Sequence, residues 1–368
     1  MNPIQSFRPS PGTPSPGTPS PGSRTGPAAP HPPLAISTTG LHKAFGDKVV
    51  LDGIDLRVPE GTIYSLLGPN GAGKTTVIQI LSTLIGADGG EAVVAGHDVA
   101  TDADGVRRAI GVTGQFSAVD NLLTGQENLK LMADLHHLGR SAGRRRIAEL
   151  LEQFDLVDAA KKTPAQYSGG MKRRLDLAMT LVGNPRIIFL DEPTTGLDPR
   201  SRHTMWRIIR DLVRDGVTIF LTTQYLDEAD QLSDRVAVLD HGTFVAEGTP
   251  AELKRLVPGG HIRLRFTATT DLEAAARSLG ESSRDEDALS LQVPSDGGVR
   301  SLKGVLRQLD DLAIEVEELS IHTPDLDDVF FALTGQLDPE QHTDGSRNQT
   351  GDARPTTTHP TMTQEALR

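Results

Sequence analysis

The sequence predicts an α/β fold, a mainly parallel sheet with helices against it, followed by a small α+β unit. Three observations lead there. Ile63-Tyr64-Ser65-Leu66-Leu67, Ile187-Ile188-Phe189-Leu190 and Val217-Thr218-Ile219-Phe220-Leu221 are short apolar runs rich in β-branched residues. Such runs read as strands buried on both faces of a parallel sheet. Amphipathic helical stretches lie between them. Val77, Ile80, Leu81 and Leu84 recur at helical spacing after Lys74, as do Met171, Leu175, Ala178 and Val182. Beyond residue 260 the texture changes again: Ile262, Leu264 and Phe266 alternate with Arg263 and Arg265, the pattern of a half-buried strand.

In chain order, residues 1–33 hold 11 of the 24 prolines and a repeated Ser-Pro-Gly-Thr-Pro. With almost no apolar side chains they cannot offset the entropy of ordering, so a disordered tail is expected. A proline-motif ligand is the alternative. The first domain spans 36–257. Arg235 to Leu239, a turn at Asp240-His241-Gly242, then Phe244 to Ala246 read as a hairpin that closes it. The second, 261–335, starts after Pro258-Gly259-Gly260, with further strands at 288–293 and 314–319 and helices at 271–279 and 299–310. Its last helix is punctuated by Thr323 as N-cap, Pro324 at the first helical position and Gly335 past the end. Leu326, Val329, Phe330 and Leu333 form its apolar face. Residues 336–368 turn polar and Thr-rich, and disorder is expected there too.

Composition excludes several classes of function. The 368 residues carry 49 acids against 37 bases, a formal charge of −12, which argues against a dedicated nucleic-acid binder. There is no cysteine, so disulfides, thiolate metal sites and cysteine nucleophiles are excluded. No apolar run approaches the roughly 20 residues that span a bilayer, and the N-terminus lacks the apolar core of a secretory signal. An intracellular chain is expected, with any membrane role exercised through a partner.

The strongest chemical signal is Gly68-Pro69-Asn70-Gly71-Ala72-Gly73-Lys74-Thr75, with Thr76 beyond it, between a strand and a helix. A phosphate chain needs inward backbone N–H groups and no side chains in the way, hence the glycines. The helix N-terminus adds its positive end. Lys74 would reach the β- and γ-phosphates, and the Thr75 hydroxyl would bind Mg²⁺. The apolar strand 187–190 then delivers Asp191 and Glu192 to the same end of the sheet. Asp191 can hold the Mg²⁺ water shell, and Glu192 can orient or deprotonate an attacking water. Together these signals favour a nucleotide hydrolase over a nucleotide binder.

With Tyr167-Ser168-Gly169-Gly170-Met171, 23 positions before Asp191, the chain resembles the ATPase subunits of ABC transporters from about Ile36 to Gly248. The resemblance implies a RecA-like core, an antiparallel side sheet and a helical subdomain around 116–182. It implies ATP as nucleotide, with Phe45 stacking on adenine and Gln115 sensing Mg²⁺ and the γ-phosphate. Ser168, Gly169 and Gly170 would face the γ-phosphate held by an opposite subunit, and Asp198, in Gly196-Leu197-Asp198-Pro199, would cross to that subunit. Two copies of the chain would thus sandwich two ATP molecules. A separate integral-membrane permease would be driven from the cytoplasmic face of the membrane, through a surface that includes Leu122 to Leu138; the alternative is that this stretch only packs internally. On residues alone, Ser168 to Gly170 open a helix and form a second anion-binding terminus.

One departure narrows the resemblance. Gln224 stands where the family usually has a histidine that contacts the γ-phosphate. A glutamine amide donates a hydrogen bond but carries no charge and shuttles no proton. Glu192 is therefore expected to dominate hydrolysis, with Gln224 a neutral sensor. Residues 222–232 together with Leu326 to Gly335 resemble the daunorubicin/doxorubicin-resistance subunits, which implies multidrug or antibiotic efflux. Motors for lipid or polysaccharide export carry similar ends and are the nearer alternative; a soluble, non-transport ATPase is the further one. Without the resemblance, Asp327 and Asp328 read as first-turn complements to the helix dipole. Lys172-Arg173-Arg174 reads as a solvated helix face or phosphate-side support. The 11 histidines show no metal-ligand spacing.

Overall fold

The structure is a computed structural model that describes residues 33–114, 118–257, 260–280, 283–295 and 298–334. The expected disordered tails, apart from Pro33, and Gly335 lie outside these residues, as does Gln115. The chain divides into two compact units, Met1–Phe244 and Val245–Arg368.

The first unit opens with two long strands, β1 (Leu34–Phe45) and β2 (Lys48–Pro59), paired antiparallel through several register shifts. β3 (Ile63–Leu67) leads through the glycine-rich loop into helix α1 (Lys74–Leu81). β4 (Gly89–Val94) and β5 (His97–Asp98) complete an antiparallel sheet in the order β2-β1-β4-β5. Helix α2 (Ala103–Ala109) and β6 (Ile110–Thr113) return to the main sheet. Helices α3 (Gly125–Leu135), α4 (Arg140–Gln153) and α5 (Gly169–Thr180) follow. Then come β7 (Ile187–Asp191), α6 (Pro199–Arg214), β8 (Thr218–Thr223), α7 (Leu226–Leu232) and β9 (Arg235–Asp240). The strands β9-β3-β8-β7-β6 lie side by side in that order, all parallel.

The three apolar runs are the fully buried strands β3, β7 and β8. Their residues sort by parity onto two cores. Ile188, Leu190, Ile219 and Leu221 join Leu129, Leu150, Leu175 and Trp206 on the face covered by α3 to α6. Tyr64, Phe189 and Phe220 join Ile36, Leu56, Val77 and Leu81 on the other. Tyr64 and Phe220 stack with centroids 5.7 Å apart, and Phe189 meets Phe220 edge-on. Each such aromatic contributes about 1.5–3 kcal/mol by burial, so the sheet end that bears the site rests on rigid packing.

Helix α1 ends earlier than the apolar spacing suggests. Ser82 is its C-cap, Thr83 has φ +65°, and Leu84 is 68% exposed rather than on the buried face. The left-handed turn at Thr83 breaks the period before Leu84 is reached.

Strand β10 (Thr243–Gly248) carries the chain past the division between the units, and short helix α8 (Pro250–Lys254) follows. The second unit then runs β11 (His261–Arg265), α9 (Thr269–Leu279), β12 (Ser283–Asp285), β13 (Ser290–Pro294), α10 (Val299–Asp311) and β14 (Glu318–His322). Its sheet order is β12-β13-β11-β14, with every adjacent pair antiparallel. That is the split βαβ arrangement of ferredoxin-like folds. Ile262, Leu264, Leu291 and Val293 face α9 and α10 through Leu272, Ala275, Val305 and Leu309. Helix α11 (Leu326–Thr334) starts later than its sequence punctuation suggests. Asp325, not Thr323, closes its N-terminus: Asp328 N–H donates to Asp325 Oδ1 and Asp325 N–H to Asp328 Oδ2, both at 3.0 Å. Two reciprocal carboxylate bonds satisfy more orphan amides than one hydroxyl can.

Candidate nucleotide site

Gly73 is the N-cap of α1 with φ +112°, and a Cβ there would meet Leu51 Cδ2 at 2.8 Å and Val50 O at 2.9 Å. Only glycine permits this turn from strand to helix. Lys74 begins the helix buried, 5% exposed. Its Nζ lies inside the curl of the loop, donating to Gly68 O at 2.7 Å and Pro69 O at 3.1 Å. Burial pushes the ammonium below its ordinary range, while Glu192 and Asp191 pull it back up. A cation held in a backbone cradle at a helix N-terminus is suited to a phosphate chain.

Asp191 ends β7, 5% exposed. Its Oδ2 accepts from Thr75 Oγ1 at 3.0 Å, and its Oδ1 accepts from the Thr222 hydroxyl of β8. Glu192 follows at φ +47°. Its amide donates to Thr222 O at 3.1 Å and to Thr222 Oγ1 at 3.2 Å, and its Oε2 accepts from Thr195 Oγ1 at 3.2 Å. The left-handed backbone turns Glu192 out of the strand line, a strain of order 1–3 kcal/mol that a site retains for geometry.

Ser168 caps α5, its Oγ accepting from Met171 N–H at 3.2 Å. A Cβ on Gly170 would meet Ser201 Oγ at 2.6 Å, so this glycine lets the start of α5 lie against the first turn of α6. Asp198 caps α6, accepting from Ser201 N–H at 2.9 Å and Ser201 Oγ at 2.6 Å. Those bonds, the hydroxyl first, hold its carboxyl below the usual range. Ser201 thus brings Ser168-Gly169-Gly170 and Asp198 together, which sequence spacing does not reveal.

Phe45, at the end of β1, is 51% exposed, with Lys43 Nζ 5.4 Å from its ring centroid. Asp88 accepts from Ala44 N–H and from Lys43 Nζ, each at 2.8 Å, and so fixes the strand end that presents the ring. Gln224 sits just past β8, partly buried, with no direct bond to Asp191 or Glu192.

Residues 51–195 match the ABC transporter family. The chain is 50% identical over 303 residues to the daunorubicin resistance ATP-binding protein DrrA3 of Streptomyces coeruleorubidus, covering 82% of this chain and 96% of that one. It is 47% identical over 318 residues to the daunorubicin/doxorubicin resistance ATP-binding protein DrrA of Streptomyces peucetius, covering 85% and 96%. Among solved structures it is similar to a dimeric ATP-binding cassette in a post-hydrolysis state with ADP and Pi. That match has 28% identity and a TM-score of 0.53, and covers 58% of this chain and 98% of that one. The chain belongs to the daunorubicin/doxorubicin-resistance family of ABC transporter ATP-binding subunits. It is an ATPase subunit of the nucleotide-binding cassette fold that the sequence pattern suggests.

Of the two readings of Lys172-Arg173-Arg174, the solvated face fails for Arg173, and support of the site's backbone holds in this ABC ATPase. The Arg173 side chain is 12% exposed. Its guanidinium donates to Pro193 O at 2.8 Å, Gly114 O at 3.0 Å, Asp191 O at 3.1 Å and Glu192 O at 3.3 Å. It also pairs with Asp176 at 3.4 Å, and Asp176 accepts from Ala118 N–H at 3.1 Å. One ion pair on α5 therefore holds the backbone behind both acids and both flanks of the segment that contains Gln115. A lone acid, Asp176, inside the apolar run Leu175 to Met179 with Arg173 three residues before it was the available signal. Thr222 was missed; a threonine pair inside a wholly buried strand was its signal.

Proposed function

We propose that this chain is the ATP-hydrolysing motor of a drug exporter, with anthracycline-like cargo and a separate integral-membrane permease. The observation that carries the cargo class is the 47–50% identity to daunorubicin-resistance subunits over 303 to 318 residues, a length that exceeds the ATPase fold alone. Among the described residues no helix is long and apolar enough to cross a membrane. In this reading the chain works at the cytoplasmic face through its partner, and the exposed Leu122, Leu131 and Leu135 offer apolar contacts there.

ATP binds with its adenine on Phe45 and its phosphates along Gly68 to Thr76, over Lys74. Mg²⁺ would be held by Thr75 and Asp191 and, as the family resemblance implies, by Gln115. Its support is the donor chemistry: hydroxyl and carboxylate oxygens 3.0 Å apart. That suits a hard cation that keeps waters and phosphate oxygens in its shell. When bound, Mg²⁺ neutralises charge on the phosphates. Glu192 accepts hydrogen bonds from the attacking water and orients it in line with the γ-phosphate; Gln224 donates to that phosphate. Two copies close on two nucleotides, Ser168-Gly169-Gly170 and Asp198 of each reaching the other's site. Hydrolysis reopens the pair and drives the permease.

The test is ATP-dependent anthracycline uptake into inverted membrane vesicles that contain this chain and the membrane protein encoded beside it. Uptake that disappears with Glu192→Gln is the expected result. ATP hydrolysis and membrane recruitment without uptake would refute the drug assignment and leave the motor.

A further inference from the structure

Glu228, on α7, is wholly buried, yet no part of the nucleotide reading uses it. Its Oε1 accepts from Thr194 Oγ1 at 2.9 Å and from Trp206 Nε1 at 3.0 Å. Thr194 lies in the turn between Glu192 and Asp198, whose Leu197 N–H donates to Thr194 O at 3.1 Å. Trp206 lies on α6, the helix that Asp198 caps. Glu228 itself is four residues beyond Gln224. One carboxylate thus joins three segments that the nucleotide reading treats separately.

The surrounding contacts make α6 and α7 one body. Arg202 on α6 pairs with Asp227 at 3.0 Å, and its guanidinium lies 5.0 Å from the Tyr225 ring centroid. Arg210 donates to Gln231 O. The charged groups acting at Glu228 are its neighbour Asp227 and, from α5, Arg173; its buried Oε2 has no hydrogen-bond partner among the described residues. A buried acid is a costly way to fill this space, because apolar side chains pack there without a desolvation penalty.

We infer that Glu228 is a positioning residue: its carboxylate holds the Glu192–Asp198 turn, α6 and the Gln224 turn in one register, so that contact at Gln224 and placement of Glu192 and Asp198 change together. The inference rests on the nucleotide-site reading above. A group that merely stabilised the fold would affect melting and leave turnover alone.

The full chain, with its membrane partner, is assayed for ATP hydrolysis with kcat and KM read separately. Glu228→Ala is expected to lower kcat about tenfold or more while KM stays near wild type, since small misplacement of catalytic groups is that costly. Glu228→Gln is expected to restore most of that loss, because its amide oxygen accepts both hydrogen bonds and the side chain keeps its length and shape. Thr194→Val, which removes one of the bonds, is expected to lower kcat without changing the melting temperature. Wild-type kcat in folded Glu228→Ala, or a Glu228→Gln protein as slow as the alanine variant, overturns the inference. If Glu228→Ala does not fold, Thr194→Val decides: a lower kcat supports the inference and a wild-type kcat overturns it. Glu192→Gln runs beside them. Its loss of hydrolysis confines any failure to Glu228, whereas retained hydrolysis overturns the site reading and this inference with it.

Discussion

Replacing Arg173 by alanine removes donors to four backbone carbonyls, those of Gly114, Asp191, Glu192 and Pro193, and takes the ion-pair partner from Asp176, which is 3% exposed. Breaking a buried pair by deleting one partner costs about 3–5 kcal/mol, because the remaining ion has lost its compensation. The Arg173 and Asp176 side chains are 12% and 4% exposed, so solvent screens this pair little. Arg173→Ala is expected to lower the stability of the first unit by that amount. Arg173→Met with Asp176→Leu, which leaves no buried charge, is expected to recover at least half. The chain has one tryptophan, Trp206, and it lies in the first unit, so urea unfolding followed by its fluorescence reports that unit. Where the alanine variant folds, ATP turnover should fall further than stability alone explains, since the backbone of both acids is released. An Arg173→Ala protein within about 1 kcal/mol of wild type, the range of an exposed pair, refutes the reasoning.

Thr222→Val removes the donor to Asp191 and one of two acceptors for the Glu192 amide; turnover should fall about 10- to 100-fold with the fold intact by circular dichroism. Asp88→Ala frees Ala44 and Lys43 beside Phe45, and should raise the KM for ATP more than it lowers kcat, the mark of lost ground-state binding. The acidity of Glu228 gives a pH dependence. Burial pushes its carboxyl above the ordinary 4.5. The folded chain therefore keeps that proton where the unfolded chain releases it, so this contribution to stability is full below pH 4.5 and is lost as pH rises through the folded value. Urea unfolding from pH 4.5 towards neutral should show Glu228→Gln gaining on wild type; a gap independent of pH would contradict this.

Local chemistry was the most legible part of the sequence. The loop from Gly68 to Thr75 announces itself because glycines, a lysine and a threonine must be adjacent in the chain to surround one phosphate group. Strands β3, β7 and β8 were legible because strands buried on both faces are continuous apolar runs. What stayed hidden depends on partners distant in sequence. For Arg173 the choice between a solvated face and phosphate-side support turns on carbonyls 18 to 59 residues away in sequence. Thr222 and Glu228 are polar residues whose partners come from other elements; a neighbouring threonine in a buried strand marks the first, and nothing adjacent in sequence marks the second. Helix ends were decided by local competition: Asp325 and Asp328 bond each other more completely than Thr323 could cap, and Thr83 turns before Leu84 can join the buried face. The contact between Gly170 and Ser201 was equally invisible, since its signal is the absence of a side chain.

Steady-state ATP hydrolysis by Glu192→Gln and Gln224→Ala proteins, with ATP affinity measured alongside, tests the catalytic account most directly. Glu192→Gln should bind ATP and turn over almost none, while Gln224→Ala keeps a measurable fraction of the wild-type rate. Equal, near-complete loss in both proteins would contradict the assignment of Glu192 as the dominant group and Gln224 as a neutral sensor.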